Sequence, residues 1–309
     1  MSQQPVVQLR GVTKRIGSKT IVDKLTFDVP RGEVFGFLGP NGAGKTTTIR
    51  MIVGLISMTE GEVLINGISV NQHFEQAMRH VGAIVENPEL YKFLSGYQNL
   101  VHFSRMIPGI THERIDQVVS LVKLEHRIHD KVKTYSLGMR QRLGVAQAIL
   151  HRPDVLILDE PTNGLDPEGI RELRDYLRAL AREESTAIIV SSHLLSEMEL
   201  MCDRVAVIQN GKLVNVQSMS DLVAPETGAI EVTFAADPAE RAIAVIAEAM
   251  PDARPAPVKG GFTASVAYES IPDVIRLLVH ADIRVFAVKT ASQTLEDQFL
   301  KMTKGGQII

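Results

Sequence analysis

The chain has little of the special chemistry by which many proteins are stapled, anchored or charged for a partner. Cys202 is its only cysteine among 309 residues, so no internal disulfide can form and a reducing compartment is expected. It has no tryptophan, and aromatic residues make up only 5%. No apolar run approaches the roughly 20 residues of a membrane-spanning helix. Met1-Ser2-Gln3-Gln4-Pro5 offers neither a basic start nor an apolar run, so no secretory leader is expected. The net charge of −3 provides no basic surface for nucleic acid. Together these absences point to a cytoplasmic protein. The hydrophobic share of 45% and charged share of 22% are ordinary, and the length suggests two domains, each with its own core.

What is present centres on Gly39-Pro40-Asn41-Gly42-Ala43-Gly44-Lys45-Thr46. Two glycines five positions apart, followed by Lys and a hydroxyl residue, make a phosphate-binding loop. Its glycines reach backbone angles that a Cβ disfavours, so successive N–H groups can turn toward one anion. Lys45 supplies a point charge for terminal phosphates and Thr46 a hydroxyl for Mg²⁺. The context agrees, with a strand expected over 33–38 and a helix over 45–55 whose N-terminus faces the anion. A merely Gly-rich turn is a poor competitor.

Around this loop the pattern alternates. Strands are expected over 6–12 and 21–29, joined by a turn at Gly17-Ser18, and over 61–67. Apolar spacing over 100–106 and 115–124 predicts a helical insert. Val155-Leu156-Ile157-Leu158 is a continuous apolar run, as in a parallel strand buried on both faces, and 187–190 looks like its neighbour after a helix over 169–183. A hairpin is expected over 205–214 around Gln209-Asn210-Gly211. From about 218 the order strand, helix, strand, helix, strand suggests a small α+β sandwich of ferredoxin-like kind, a fold that RNA-recognition modules share. From 219 to 309, 8 Lys/Arg stand against 12 Asp/Glu, a balance of −4, and no paired aromatics offer base stacking, so RNA binding is not expected there.

Four further stretches carry candidate chemistry. Asp159 and Glu160 end the buried strand, where one carboxylate would hold Mg²⁺ and the next could polarise water; an Asp-Glu pair can also simply open a turn at Pro161. Tyr135-Ser136-Leu137-Gly138-Met139-Arg140-Gln141-Arg142 opens a helix in which Ser136 serves as N-cap or as a donor to phosphate, and Gly138 permits close approach. Asn163-Gly164-Leu165-Asp166 reads locally as no more than a turn. Ser191-Ser192-His193 falls at the level of Glu160 if the two strands run parallel. A lone His is usually a bystander, and His126 and His129, though spaced for one helix face, lack further metal ligands nearby.

In this order the stretches resemble the nucleotide-binding subunit of ATP-binding cassette (ABC) transporters, over residues 1 to about 215. The resemblance implies an α/β fold, a P-loop NTPase sandwich of ABC type. It would have a mixed central sheet, an antiparallel β subdomain and a helical subdomain over about 90–150, within a domain over 1–218. The small C-terminal α+β domain over 219–309 lies outside the resemblance and holds no catalytic constellation, so a regulatory or dimer-supporting role is expected of it. The resemblance further implies a Mg²⁺-dependent ATPase, a homodimer enclosing two ATP, and an integral membrane permease as partner, at the inner face of the plasma membrane. Gly39 to Thr46 would cradle the phosphates, and Thr47 would touch the α-phosphate. Thr46 and Asp159 would hold the metal, and Glu160 would be the base. His193 would hold water and γ-phosphate, Ser136 and Gly138 would face the partner's ATP, and Asp166 would link the two sites. Three positions depart from the family pattern. Ile16 stands where an aromatic residue often meets adenine. The signature is Tyr-Ser-Leu-Gly-Met in place of Leu-Ser-Gly-Gly-Gln. Glu86 replaces a glutamine thought to reach the metal. With Thr294-Leu295-Glu296-Asp297-Gln298-Phe299-Leu300, these features look like the branch exporting drugs, bacitracin-type peptides and lantibiotics. A soluble ATPase acting on DNA or ribosomes, and a non-hydrolytic ATP switch, are the competing readings. The lack of a basic patch argues against the first, and Lys45, Asp159, Glu160 and His193 together against the second.

Overall fold

The structure is a computed structural model that describes residues 5–223 and 229–290. The stretch 294–300 and its branch assignment lie outside the described residues. The chain divides into two compact units, Met1–Ser220 and Asp221–Ile309.

In chain order the first unit runs β1 (Val7–Ile16), β2 (Lys19–Val29), β3 (Val34–Leu38), α1 (Lys45–Ile52), β4 (Glu60–Ile65), β5 (Ile68–Ser69), α2 (Phe74–Met78) and β6 (Val81–Ile84). It continues with α3 (Gly96–Ser104), α4 (His112–Leu121), α5 (Leu137–Ala148), β7 (Val155–Leu158), α6 (Pro167–Glu184), β8 (Ala187–Ser192), α7 (Leu195–Met201), β9 (Arg204–Gln209) and β10 (Lys212–Ser218), after which α8 (Met219–Val223) spans the boundary between the units. Two sheets form. One is antiparallel, in the order β2-β1-β4-β5; the other has the order β10-β9-β3-β8-β7-β6 and is parallel except for the β9–β10 hairpin.

Every residue of β3 and β7 is buried, which explains why both read as unbroken apolar runs rather than alternations. Phe27 of the antiparallel sheet stacks on Phe35 at 5.7 Å and meets Phe37 edge-on at 5.4 Å, joining the two sheets in one core. Each buried ring contributes about 1.5–3 kcal/mol relative to exposure. Helix α6 shows the helical period plainly. Leu173, Leu177, Leu180 and Ala181 are buried, Asp166 caps its start, Pro167 occupies the first turn, and Ser185 ends it in the left-handed region.

The differences from expectation are local. Helix α3 begins at Gly96, earlier than the apolar spacing suggested, because Ser95 and Gln98 close a capping box there. The turn Asn210-Gly211 takes positive φ at both residues, as a two-residue hairpin requires. Strand β6 and helix α7 had no adequate signal. Val81-Gly82-Ala83-Ile84 is too short for one, and α7 spans only seven residues. The buried Cys202 thiol, at the end of α7, is pushed well above its usual pKa by burial and is chemically quiet.

The second unit comprises β11 (Ala229–Asp237), α9 (Ala239–Ala249), β12 (Ala256–Val258), β13 (Gly261–Ala267), α10 (Ile271–His280) and β14 (Arg284–Thr290). Its antiparallel sheet has the order β12-β13-β11-β14, so the β-α-β-β-α-β succession is that of a ferredoxin-like unit. Strand β12, which the sequence reading did not mark, is a three-residue exposed edge. Phe234 stacks on Phe262 at 5.1 Å in a core shared with Ile246 of α9 and Leu278 of α10.

Candidate functional site

The loop 39–46 leaves the C-terminal end of β3 and enters α1. Gly42 and Gly44 take positive φ, the latter as the residue that opens the helix. Space is the second constraint. A Cβ on Gly39 would lie 2.2 Å from the Ile208 carbonyl oxygen of β9, and one on Gly44 would lie 3.1 Å from that of Ile21 of β2. The hairpin turn closes the base, with the Gly211 N–H donating to the Ala43 carbonyl at 3.0 Å. Gly39, Ala43 and Gly44 are buried, Pro40, Asn41 and Gly42 form an exposed rim, and Thr46 and Thr47 are half-buried on the first turn of α1.

Lys45 is only 5% exposed and folds back over the loop, donating to the carbonyls of Gly39 at 2.8 Å and Pro40 at 3.4 Å. Burial pulls its ammonium below the ordinary lysine value, although the Glu160 and Asp159 carboxylates act in the opposite direction. Parallel pairing sets the other side of the site. Leu158 of β7 lies opposite Val190 of β8, so Asp159 and Glu160 emerge beside Ser191 and Ser192. The Ser191 hydroxyl donates to Asp159 Oδ1 at 2.6 Å and accepts from the Glu160 N–H at 2.8 Å. The Thr46 hydroxyl donates to the same Asp159 oxygen at 3.3 Å. Glu160 sits at φ 47, in the left-handed region that a non-glycine residue adopts at a cost. Its Oε1 lies 3.7 Å from Lys45 Nζ and 3.5 Å from His193 Nδ1, while Oε2 accepts from Asn163 Nδ2 at 2.6 Å. His193 Nδ1 is buried without a hydrogen-bond partner. Cation, carboxylate and imidazole thus converge at the mouth of the phosphate loop.

The remaining candidates stand elsewhere. Ser136 accepts from the Met139 N–H at 3.2 Å as the cap of α5, and Asp166 accepts from the Gly169 N–H at 2.8 Å as the cap of α6. The two helix starts touch. A Cβ on Gly164 would meet Leu137 Cδ2 at 2.6 Å, whereas one on Gly138 would find nothing nearer than Leu165 Cδ2 at 3.5 Å. A side chain at Gly138 would thus meet only ordinary contact, and the residue is half-buried. Ile16 ends β1 beside the Gly17 turn and is 60% exposed. Glu86 is the residue that the resemblance placed at the metal. At φ 70 its carboxylate, 63% exposed, pairs with the Arg50 guanidinium, one turn along α1 from Thr46. The Thr46–Asp159 pair is formed without it. Among the described residues no group of three His, Cys, Asp or Glu is placed to hold a metal ion.

Sequence reasoning missed Ser191 as the hydroxyl linking Asp159 to Glu160, and treated Asn163 as a turn residue. Both roles depend on partners that local pattern does not reveal.

A family profile described as ABC transporter matches residues 22–163. An uncharacterized ABC transporter ATP-binding protein, YhcH of Bacillus subtilis (strain 168), is 56% identical over 298 residues, 96% of each chain. The bacitracin transport ATP-binding protein BcrA of Bacillus licheniformis is 38% identical over 306 residues, 98% of this chain and 99% of its own. The dimeric post-hydrolysis structure of the ATP-binding cassette MJ0796, bound to ADP and Pi, shares the fold with a TM-score of 0.62 at 23% identity, over 69% of this chain and 98% of that one. With the phosphate loop, the paired carboxylates and the histidine gathered at one end of a parallel sheet, and relatives matched along nearly their whole length, the chain belongs to the ATP-binding cassette transporter family, among its ATP-hydrolysing ATP-binding subunits.

Proposed function

We propose that the chain dimerises around two Mg²⁺-ATP and drives export of an antibiotic, peptide or drug through a separate membrane-spanning permease. The observation that carries this reading is the convergence of Lys45, Glu160 and His193 beside the Thr46–Asp159 pair. The export class is supported by the relative named for bacitracin transport, and the dimer by the dimeric cassette of the same fold. No helix among the described residues is long and apolar enough to cross a membrane.

The residues present suit Mg²⁺. A hydroxyl and a carboxylate already meet at 3.3 Å, and a metal that shares its shell with phosphates and waters needs few protein ligands. When bound, the ion neutralises charge on the phosphates. The chain supplies the rest. The Ala43 N–H donates to the Pro40 carbonyl at 3.1 Å, and the remaining loop N–H groups face the β- and γ-phosphates; Lys45 adds a buried cation there, and Thr47 serves the α-phosphate. Glu160 accepts a proton from the attacking water, and His193 holds that water and the γ-phosphate in place. Ile16 offers the base apolar contact. Ser136 and the backbone at Gly138 present the start of α5, with its partial positive charge, to the partner's nucleotide, and Asp166 joins the two sites.

Glu160→Gln keeps shape and hydrogen bonding but removes the proton acceptor. ATP turnover is expected to fall at least about 10²-fold while ATP binding persists and a dimer accumulates on size exclusion. Undiminished turnover would remove Glu160 from the mechanism.

A further inference from the structure

Two buried hydroxyls flank the proposed base and imidazole. Thr162, 4% exposed, lies two residues beyond Glu160, and Ser192, 2% exposed, immediately precedes His193. Both donate to a single oxygen, Oε2 of Glu197, each at 2.7 Å. The Ser192 hydroxyl also accepts from the Leu194 N–H at 3.0 Å, so the turn that carries His193 is fastened on both sides. Next to Thr162, Asn163 donates to Glu160 Oε2, while Glu160 Oε1 faces His193 Nδ1 at 3.5 Å. The contacts therefore close a ring from Glu160 through Asn163 and Thr162 to Glu197, then through Ser192 and His193 back to Glu160.

Helix α7 gives this carboxylate a fixed mount. Leu195, Met198 and Met201 are buried, and Met198 Sδ would lie 2.5 Å from a Cβ on Gly36, so α7 rests directly on β3, the strand that feeds the phosphate loop. Side chains held by packed elements keep a reactive geometry better than side chains held by loops.

We propose that Glu197 is a positioning residue that locks the Glu160 turn to the His193 turn, keeping base and imidazole in register with the phosphate loop. The inference rests on the roles proposed above for Glu160 and His193. Both hydroxyls use the same acceptor oxygen, so acceptor capacity at that point matters and the negative charge does not. An amide oxygen at the same reach can accept both; a methyl group can accept neither.

The test is steady-state ATP hydrolysis by the full chain. Glu197→Ala is expected to lower kcat about 10- to 100-fold, the scale of a small misplacement of reacting groups, with KM and ATP affinity within about twofold. Glu197→Gln is expected to retain most of the turnover, and in a Thr162→Val background Glu197→Ala should cost less than it does alone. If Glu197→Ala does not fold, Ser192→Ala cuts one link and should lower kcat about 10-fold, with KM unchanged. Wild-type turnover in Glu197→Ala, loss of ATP affinity in step with kcat, or Glu197→Gln as impaired as Glu197→Ala would each overturn the proposal. Glu160→Gln measured alongside separates the failures. Turnover surviving there overturns the assignment of the base and this inference with it. Turnover lost there but intact in Glu197→Ala overturns this inference alone.

Discussion

Asp154, just before β7, is the most connected carboxylate at the N-terminal ends of the parallel strands, and removing it gives a sharp test of how the catalytic sheet is held. It accepts from Arg31 Nη1 at 2.6 Å, from Asn66 Nδ2 at 3.0 Å and from His80 Nδ1 at 2.7 Å. Arg31 precedes β3, His80 precedes β6 and Asn66 follows β4, so one side chain ties both sheets together. Asp154→Ala removes three bonds. The pairs to Arg31 and His80 are half-buried, so solvent screening reduces each to about 1 kcal/mol, and the Asn66 bond adds somewhat less. The expected loss is about 2–3 kcal/mol, or about 4–12 °C in the melting temperature of a unit this size. The pH dependence has a definite sign. Burial raises the Asp154 carboxyl, but the hydrogen bonds from Arg31 and His80 outweigh it and hold the group below its ordinary value. A carboxyl depressed in the folded state stabilises above its unfolded pKa and loses that contribution as pH falls through the folded one. The gap in melting temperature between wild type and Asp154→Ala should therefore be complete at about neutral pH and shrink only below about pH 4. Melting curves followed by circular dichroism across that range decide it. Equal melting temperatures at neutral pH, or a gap that widens on acidification, would refute the reasoning.

Two further outcomes are open to simple measurement. Ile16→Tyr should tighten ATP binding, because base–aromatic stacking is worth about 1–3 kcal/mol; titration with ATP and GTP on both proteins checks it, and no change in either places Ile16 away from the base. Glu86→Gln should leave the Mg²⁺ dependence of ATP affinity within about twofold and cost under about 1 kcal/mol of stability, as for an exposed ion pair with Arg50. Titrations with Mg²⁺ and with EDTA test this, and a marked loss of the gain that Mg²⁺ brings would show that the carboxylate leaves Arg50 for the metal.

The sequence by itself determined the parts governed by short-range rules. The glycine spacing of 39–46 specifies a phosphate cradle because backbone angle and missing Cβ are local properties. The unbroken run 155–158 specifies a strand buried on both faces because period and burial are written in the same residues. Asn210-Gly211 specifies its hairpin for the same reason, and after residue 218 every strand and helix of the second unit except the exposed edge β12 was readable in order. Tertiary structure alone decided which side chains serve as partners. Asp154 meets Arg31 across 123 positions, Thr46 meets Asp159 across 113, and Thr162 meets Glu197 across 35. Glu86 met Arg50 rather than the Thr46–Asp159 pair, and the seven-residue helix that carries Glu197 was too short to announce itself. A carboxylate's neighbours depend on which strands lie side by side and in what register, and no window along the chain contains that information.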